Sequence, residues 1–202
     1  MSVKRDRYDS ITALRAAEIE GESYRVVVRA RAGAPLVVAP HGGTIEPGTS
    51  AIAAAVAGSE MSLFLFEGRI AGRGHAALHV ASHRFDDPAA LALAAQSPQV
   101  VAIHGRGERG DPHTVWVGGR DTAAGEAIAA RLRAAGFDCV RAADGLAGTH
   151  PSNICNRGMT GAGVQLELPA RLRRHLVGDK FAMGRFAEAV RAGLADVGRP
   201  NR

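Results

Sequence analysis

The segment Pro40-His41-Gly42-Gly43-Thr44-Ile45-Glu46-Pro47-Gly48 follows directly on the apolar run Leu36-Val37-Val38-Ala39. It sets an imidazole and a carboxylate in one tight turn at the end of an expected strand. Both suit zinc, and a catalytic zinc ordinarily takes three protein ligands and leaves a fourth position for water. A third ligand is therefore expected. His104 is the candidate, because it ends a second apolar run, Val100-Val101-Ala102-Ile103, as His41 ends the first. Parallel strands would bring these ends side by side, so His41, Glu46 and His104 would meet at one sheet edge. Each residue also has a plainer reading, a histidine closing a strand or a solvated carboxylate at a helix start, and the argument rests on the set.

Glu167 lies in Gln165-Leu166-Glu167-Leu168-Pro169, where strand alternation points it away from Leu166 and Leu168. A carboxylate there suits a general base, taking a proton from an attacking water and passing it to a leaving amine; the alternative is an edge-strand surface charge. Ser82-His83-Arg84-Phe85-Asp86-Asp87-Pro88 is dense in polar groups and is expected to line the same cleft. His83 reads as a ligand or as a partner to one, with Asp86 orienting an imidazole or capping a helix. Asn156-Arg157-Gly158 offers a guanidinium and an amide for a substrate carboxylate. Arg171 and Arg173 follow Pro169 on an expected helix and extend a basic groove or are simply solvated.

These residues need a scaffold, and the pattern supplies one. Ile11, Leu14 and Ala17 recur at helical spacing after Asp9 or Ser10 as cap, and Tyr24-Arg25-Val26-Val27-Val28-Arg29 reads as a strand. After the His41 turn, Thr49 or Ser50 caps a helix through Ala51 to Val56, and Ser62 to Phe66 forms the next strand. Further strands are expected at Ala77–Val80, Val100–Ile103, Thr114–Val117, Cys139–Val140 and Val164–Leu168, with helices near 88–96, 123–135 and 180–195. Alternation of this kind predicts an α/β domain, a mainly parallel or mixed central sheet flanked by helices, over residues 1–202. The stretch 143–163, rich in Gly, Asn, Ser, Thr and Pro, reads as a functional loop.

The totals narrow the classes. Hydrophobic residues are 46% and charged residues 22% of 202 residues, values of an ordinary globular protein rather than a disordered or membrane one. No apolar run reaches the roughly 20 residues that span a bilayer, and the first residues lack a signal-peptide core. A cytoplasmic monomer is expected, release by a non-signal route such as phage lysis staying open. Cys139 and Cys155 are too few and too isolated for a disulfide framework and read as free thiols. A net charge of +5 and a pI near 10.0 favour an acidic partner. With 4% aromatics and no dense basic run, no specific nucleic-acid binding is expected.

Taken in order, His41 to Thr49, Ser82 to Pro88, Ile103-His104-Gly105, Asn156-Arg157-Gly158 and Gly163 to Pro169 resemble the poly-γ-glutamate hydrolase family of phages and bacteria. The likeness runs from about Tyr8 to the C-terminal helix. It implies a compact relative of the zinc carboxypeptidases, with Zn2+ on His41, Glu46 and His104. It further implies Glu167 as general base, Arg157 as carboxylate or oxyanion contact, and His83, Arg84, Asn156 and Arg171 near the substrate. The paired glycines after His41 are expected to let backbone approach the metal. Four residues separate His41 from Glu46 where the zinc carboxypeptidases usually have two, which loosens the wider link but matches the family. The implied reaction is cleavage of γ-glutamyl amide bonds in an acidic polymer. Two other readings stay open: a zinc hydrolase of small N-acyl amino acids or peptides, and a non-catalytic polyanion-binding module.

Overall fold

In the computed structural model, which describes residues 6–197, seven strands form one sheet in the order β1-β3-β2-β4-β7-β5-β6. The strands are β1 (Tyr24–Arg29), β2 (Leu36–Gly43), β3 (Ser62–Gly68), β4 (Val100–Arg106), β5 (Val115–Gly119), β6 (Cys139–Arg141) and β7 (Val164–Pro169). Pairing is parallel for β2 with β3, β2 with β4, β4 with β7 and β5 with β6, and antiparallel for β1 with β3 and β5 with β7. The expected α/β architecture is therefore present as a mixed sheet.

The inner strands β2, β3 and β4 are largely apolar on both sides because helices cover both faces, whereas β7 is apolar on one face only and carries Gln165 and Glu167 on the other. Val37, Ala39, Val101, Ile103, Leu166 and Leu168 pack against α2 (Thr49–Ala57), α5 (Thr122–Ala134), α6 (Ala170–Gly178) and α7 (Lys180–Val197). Leu36, Val38, Phe64, Phe66, Val100 and Ala102 pack against α1 (Ile11–Ala17), α3 (Gly74–Leu78) and α4 (Pro88–Ala95). Helix α1 begins at the cap expected for it, the Ser10 hydroxyl accepting the Ala13 amide. Helix α2 does not begin at its expected cap: Gly48, at φ 97°, precedes it, and Thr49 instead bonds back to the Glu46 carbonyl at 2.9 Å.

One strand expectation fails. Residues 77–80 are not extended in the sheet but close α3 and lead out of it. Leu78 and Val80 are fully buried, and that burial, rather than strand pairing, is what their hydrophobicity serves. The segment after them is pinned by Phe85, which meets Phe64 and Phe66 edge to face, each at 6.0 Å. Burying such a ring stabilises by roughly 1.5–3 kcal/mol, so a polar, cleft-facing segment gains an apolar anchor.

Candidate active site

In this strand order the chain runs from β2 outward to β3, and from β4 outward in the other direction, so β2 and β4 flank the point where the winding reverses. Crevices at the carboxyl ends of strands at such a point are where open α/β sheets bind ligands. His41 ends β2 there, His104 ends β4, and Glu167 stands beside His104 on β7 in direct register. The cleft they line measures about 610 Å³.

The three expected ligands converge. His41 Nδ1 lies 3.1 Å from Glu46 Oε1 and 3.2 Å from His104 Nδ1, and His104 Nδ1 lies 3.8 Å from Glu46 Oε2. Zinc–nitrogen bonds near 2.0–2.1 Å in a tetrahedron imply donor separations of about 3.3 Å, so the spacing suits such an ion. His41 Nε2 lies 2.8 Å from the Val80 carbonyl, which can only accept, so Nε2 carries the hydrogen and Nδ1 of the neutral ring presents a lone pair. His104 Nε2 lies 3.3 Å from the Ser82 hydroxyl. Outer nitrogens held by carbonyl or hydroxyl partners are the usual support of ligating histidines.

The buried carboxylates and imidazoles shift one another strongly. Burial raises Glu167 and the nearby Glu46 charge raises it further, to about 8. Burial opposes the charge of Glu46, but His41, His104 and the Gly105 amide, at 2.7 Å, outweigh it and hold Glu46 down at about 2. Burial and the His41 charge push His104 down to about 3. Burial also opposes charge on His41, yet Glu46 prevails and His41 is raised. A divalent cation would take the place of the protons that this buried set otherwise holds.

Supporting residues come from β7, β4, α6 and the 143–163 loop. Gln165 donates to Glu167 at 2.9 Å and accepts from Asn153 at 2.9 Å, fixing the carboxylate from its own strand and from the 143–163 loop. Gln165 was visible as the residue two before Glu167, on the same strand face. Arg106 lies over the Trp116 ring at 4.1 Å and pairs with Asp111 at 2.8 Å, and Arg173, on α6, donates to the Pro47 carbonyl at 2.7 Å. Six of the chain's eight histidines line the cleft: His41, His75, His79, His83, His104 and His150.

The other expected contacts divide. His83 lines the cleft, with its ring 5.1 Å from that of His150. Arg84 instead pairs with Asp6 and Asp9, Asp86 accepts the Thr12 amide, and Asp87 caps α4. Asn156 is buried and binds loop backbone at Gly148, His150 and Gly163, so it organises the loop rather than facing a ligand. Arg157 and Arg171 are exposed and outside the cleft lining. The glycines after His41 serve the scaffold: Gly43, at φ 63°, lies so close to β3 that an added Cβ would sit 2.2 Å from the Gly68 carbonyl oxygen.

Residues 8–190 match the family model described as poly-gamma-glutamate hydrolase. The chain is 34% identical over 175 residues to YndL of Bacillus subtilis strain 168, spanning 86% of this chain and 68% of that protein. It is 36% identical over 183 residues to the SPbeta prophage-derived YoqZ of the same organism, spanning 89% of this chain but only 65% of YoqZ. A solved bacteriophage poly-gamma-glutamate hydrolase is similar at TM-score 0.89 and 30% identity, over 96% of this chain and 99% of that one. A zinc-free form of YndL is similar at 0.86 and 31%, with the same coverage. The N-acetylmuramoyl-L-alanine amidase AmiC2 of Nostoc punctiforme, at 13% identity, TM-score 0.53 and coverage of 85% and 100%, shares the fold alone. With a convergent, buried donor set at the crevice and a family match over nearly its whole length, the chain is a hydrolase and belongs to the poly-gamma-glutamate hydrolase family.

Proposed function

We propose that this protein is a zinc-dependent amidohydrolase that cleaves γ-glutamyl amide bonds of poly-γ-glutamate. The observation that carries the reading is the tripod of His41, Glu46 and His104 with Glu167 in register beside it. His41 Nδ1, His104 Nδ1 and a Glu46 oxygen would hold the ion. When bound there, zinc supplies a Lewis acid that polarises the scissile carbonyl and lowers the pKa of water.

The chain's own groups do the rest. Glu167 accepts the proton of the attacking water and returns it to the nitrogen of the departing amine, which requires one carboxylate to act as base and then as acid. The amide donor of Gln165 keeps that carboxylate aimed into the cleft. Val80 and Ser82 hold the two histidine rings in their working orientation. Arg109, His83 and His150 line the outer cleft, where a polymer bearing one carboxylate per residue meets cationic and hydrogen-bonding groups. The contact role first given to Arg157 passes to these residues.

The test pairs rate with metal content. The full chain should shorten poly-γ-glutamate, and Glu167→Gln should lose roughly 10²–10⁴-fold in rate while retaining its zinc. A Glu167→Gln protein as fast as its parent, or a zinc-loaded parent that leaves the polymer intact, would overturn the reading.

A further inference from the structure

We propose that a second divalent metal ion of the zinc class binds beside the tripod, held by Glu46, His75 and His79. The inference rests on the tripod reading, because Glu46 is shared between the two sites. One donor atom each of Glu46, His75 and His79 lies within 4.8 Å of the other two. His75 and His79 stand four residues apart on and just after α3, their rings 4.5 Å apart, and the His79 ring is 4.3 Å from that of His41.

Three features make this more than proximity. Asp6 lies 2.7 Å from His79 Nδ1, the carboxylate–histidine arrangement that orients ligating imidazoles and leaves the other nitrogen to coordinate. Asp6 is itself fixed by the Ala81 amide at 2.9 Å and by Arg84. The start of α3 is pressed onto the turn that carries Glu46, since a Cβ on Gly74 would fall 2.4 Å from the Thr44 carbonyl oxygen. That contact sets His75 beside Glu46. Finally, a carboxylate offers about four lone-pair directions, so Glu46 can serve ions on both sides, as bridging carboxylates do in two-metal hydrolases. Nothing in the tripod requires His75 or His79.

His75 is exposed and lines the cleft, so the remaining coordination positions open towards substrate and take water or an anionic oxygen. This ion is the weaker of the two, because its site is partly solvated and one ligand is shared.

The experiment titrates the metal-stripped full chain with zinc and counts bound ions after dialysis. The parent should bind two ions in two steps. His75→Ala and His79→Ala should each bind one, with the tighter step unchanged; His75 is exposed, so its truncation leaves the fold intact, and a thermal melt checks this. In cobalt-loaded parent the paramagnetic signal of the first equivalent should change as the second enters, and in His75→Ala it should not. One ion in the parent, or two in His75→Ala, overturns the proposal. His104→Ala separates the two readings: it should keep the weaker ion and lose the tighter. If the parent binds one ion and His104→Ala none, the tripod stands and the second site falls. If His104→Ala leaves the tight step intact, the tripod fails and the sharing of Glu46 fails with it.

Discussion

Gly105 shows how much one missing methyl group can decide. Its amide donates to Glu46, and a Cβ added there would sit 2.5 Å from the guanidinium carbon of Arg173. That guanidinium in turn holds the Pro47 carbonyl, so Gly105→Ala pushes on the Glu46 turn from behind. The expected cost is about 1–3 kcal/mol, read as a lower urea midpoint together with weaker zinc retention; an unchanged midpoint would show that Arg173 swings aside freely. Gln165→Leu removes the donor that aims Glu167 and should lower the rate roughly 10- to 100-fold with zinc content unchanged. At this scale the sequence was legible in placement: His41, Glu46, His104 and Glu167, each at or near a strand end, all line one cleft. It was uninformative for Arg157 and Asn156. Both lie on a single short 3₁₀ turn, and no periodicity in so short a segment reports that neither lines the cleft.

Among the elements, those with a strong period were legible: β1 and the helices near 88–96, 123–135 and 180–195 all lie where spacing places them. Residues 77–80 were not, because a four-residue apolar run is the same for a buried turn as for a strand. The segment that follows depends on Phe85. Phe85→Ala should cost about 3–5 kcal/mol and loosen Ser82 and His83 with it, seen as a lower melting temperature and faster amide exchange through residues 81–86. The turn before β5 carries a pH prediction. Burial opposes the charge on Asp111, but Thr114, the Trp116 indole and Arg106 outweigh it and hold its carboxyl well below the usual range. The folded state thus binds its proton less readily than the unfolded chain. The stability it contributes is present above about pH 4 and is lost as pH falls towards the folded value. Asp111→Asn should flatten that part of the profile, measured by denaturant melts between pH 5 and 2; an unaltered slope would remove Asp111 from the account.

For the molecule as a whole, the net charge of +5 and the basic and imidazole-lined cleft predict that cleavage of a polyanion weakens as salt screens attraction. kcat/KM on poly-γ-glutamate should fall several-fold between low and high ionic strength, mostly through KM, whereas a short neutral γ-glutamyl amide should show little change. Among the described residues no helix is long and apolar enough to cross a membrane. Composition and alternation made the α/β class readable, but not the strand order, which depends on contacts between distant segments. That order places β7, the last strand in the chain, between β4 and β5, both made earlier. The consequence concerns timing. On the proposed reading, a nascent chain that has emerged only as far as β5 would already carry His41, Glu46 and His104 but not Glu167. The carboxylate proposed to move the proton would thus join the cleft only with the closing strand.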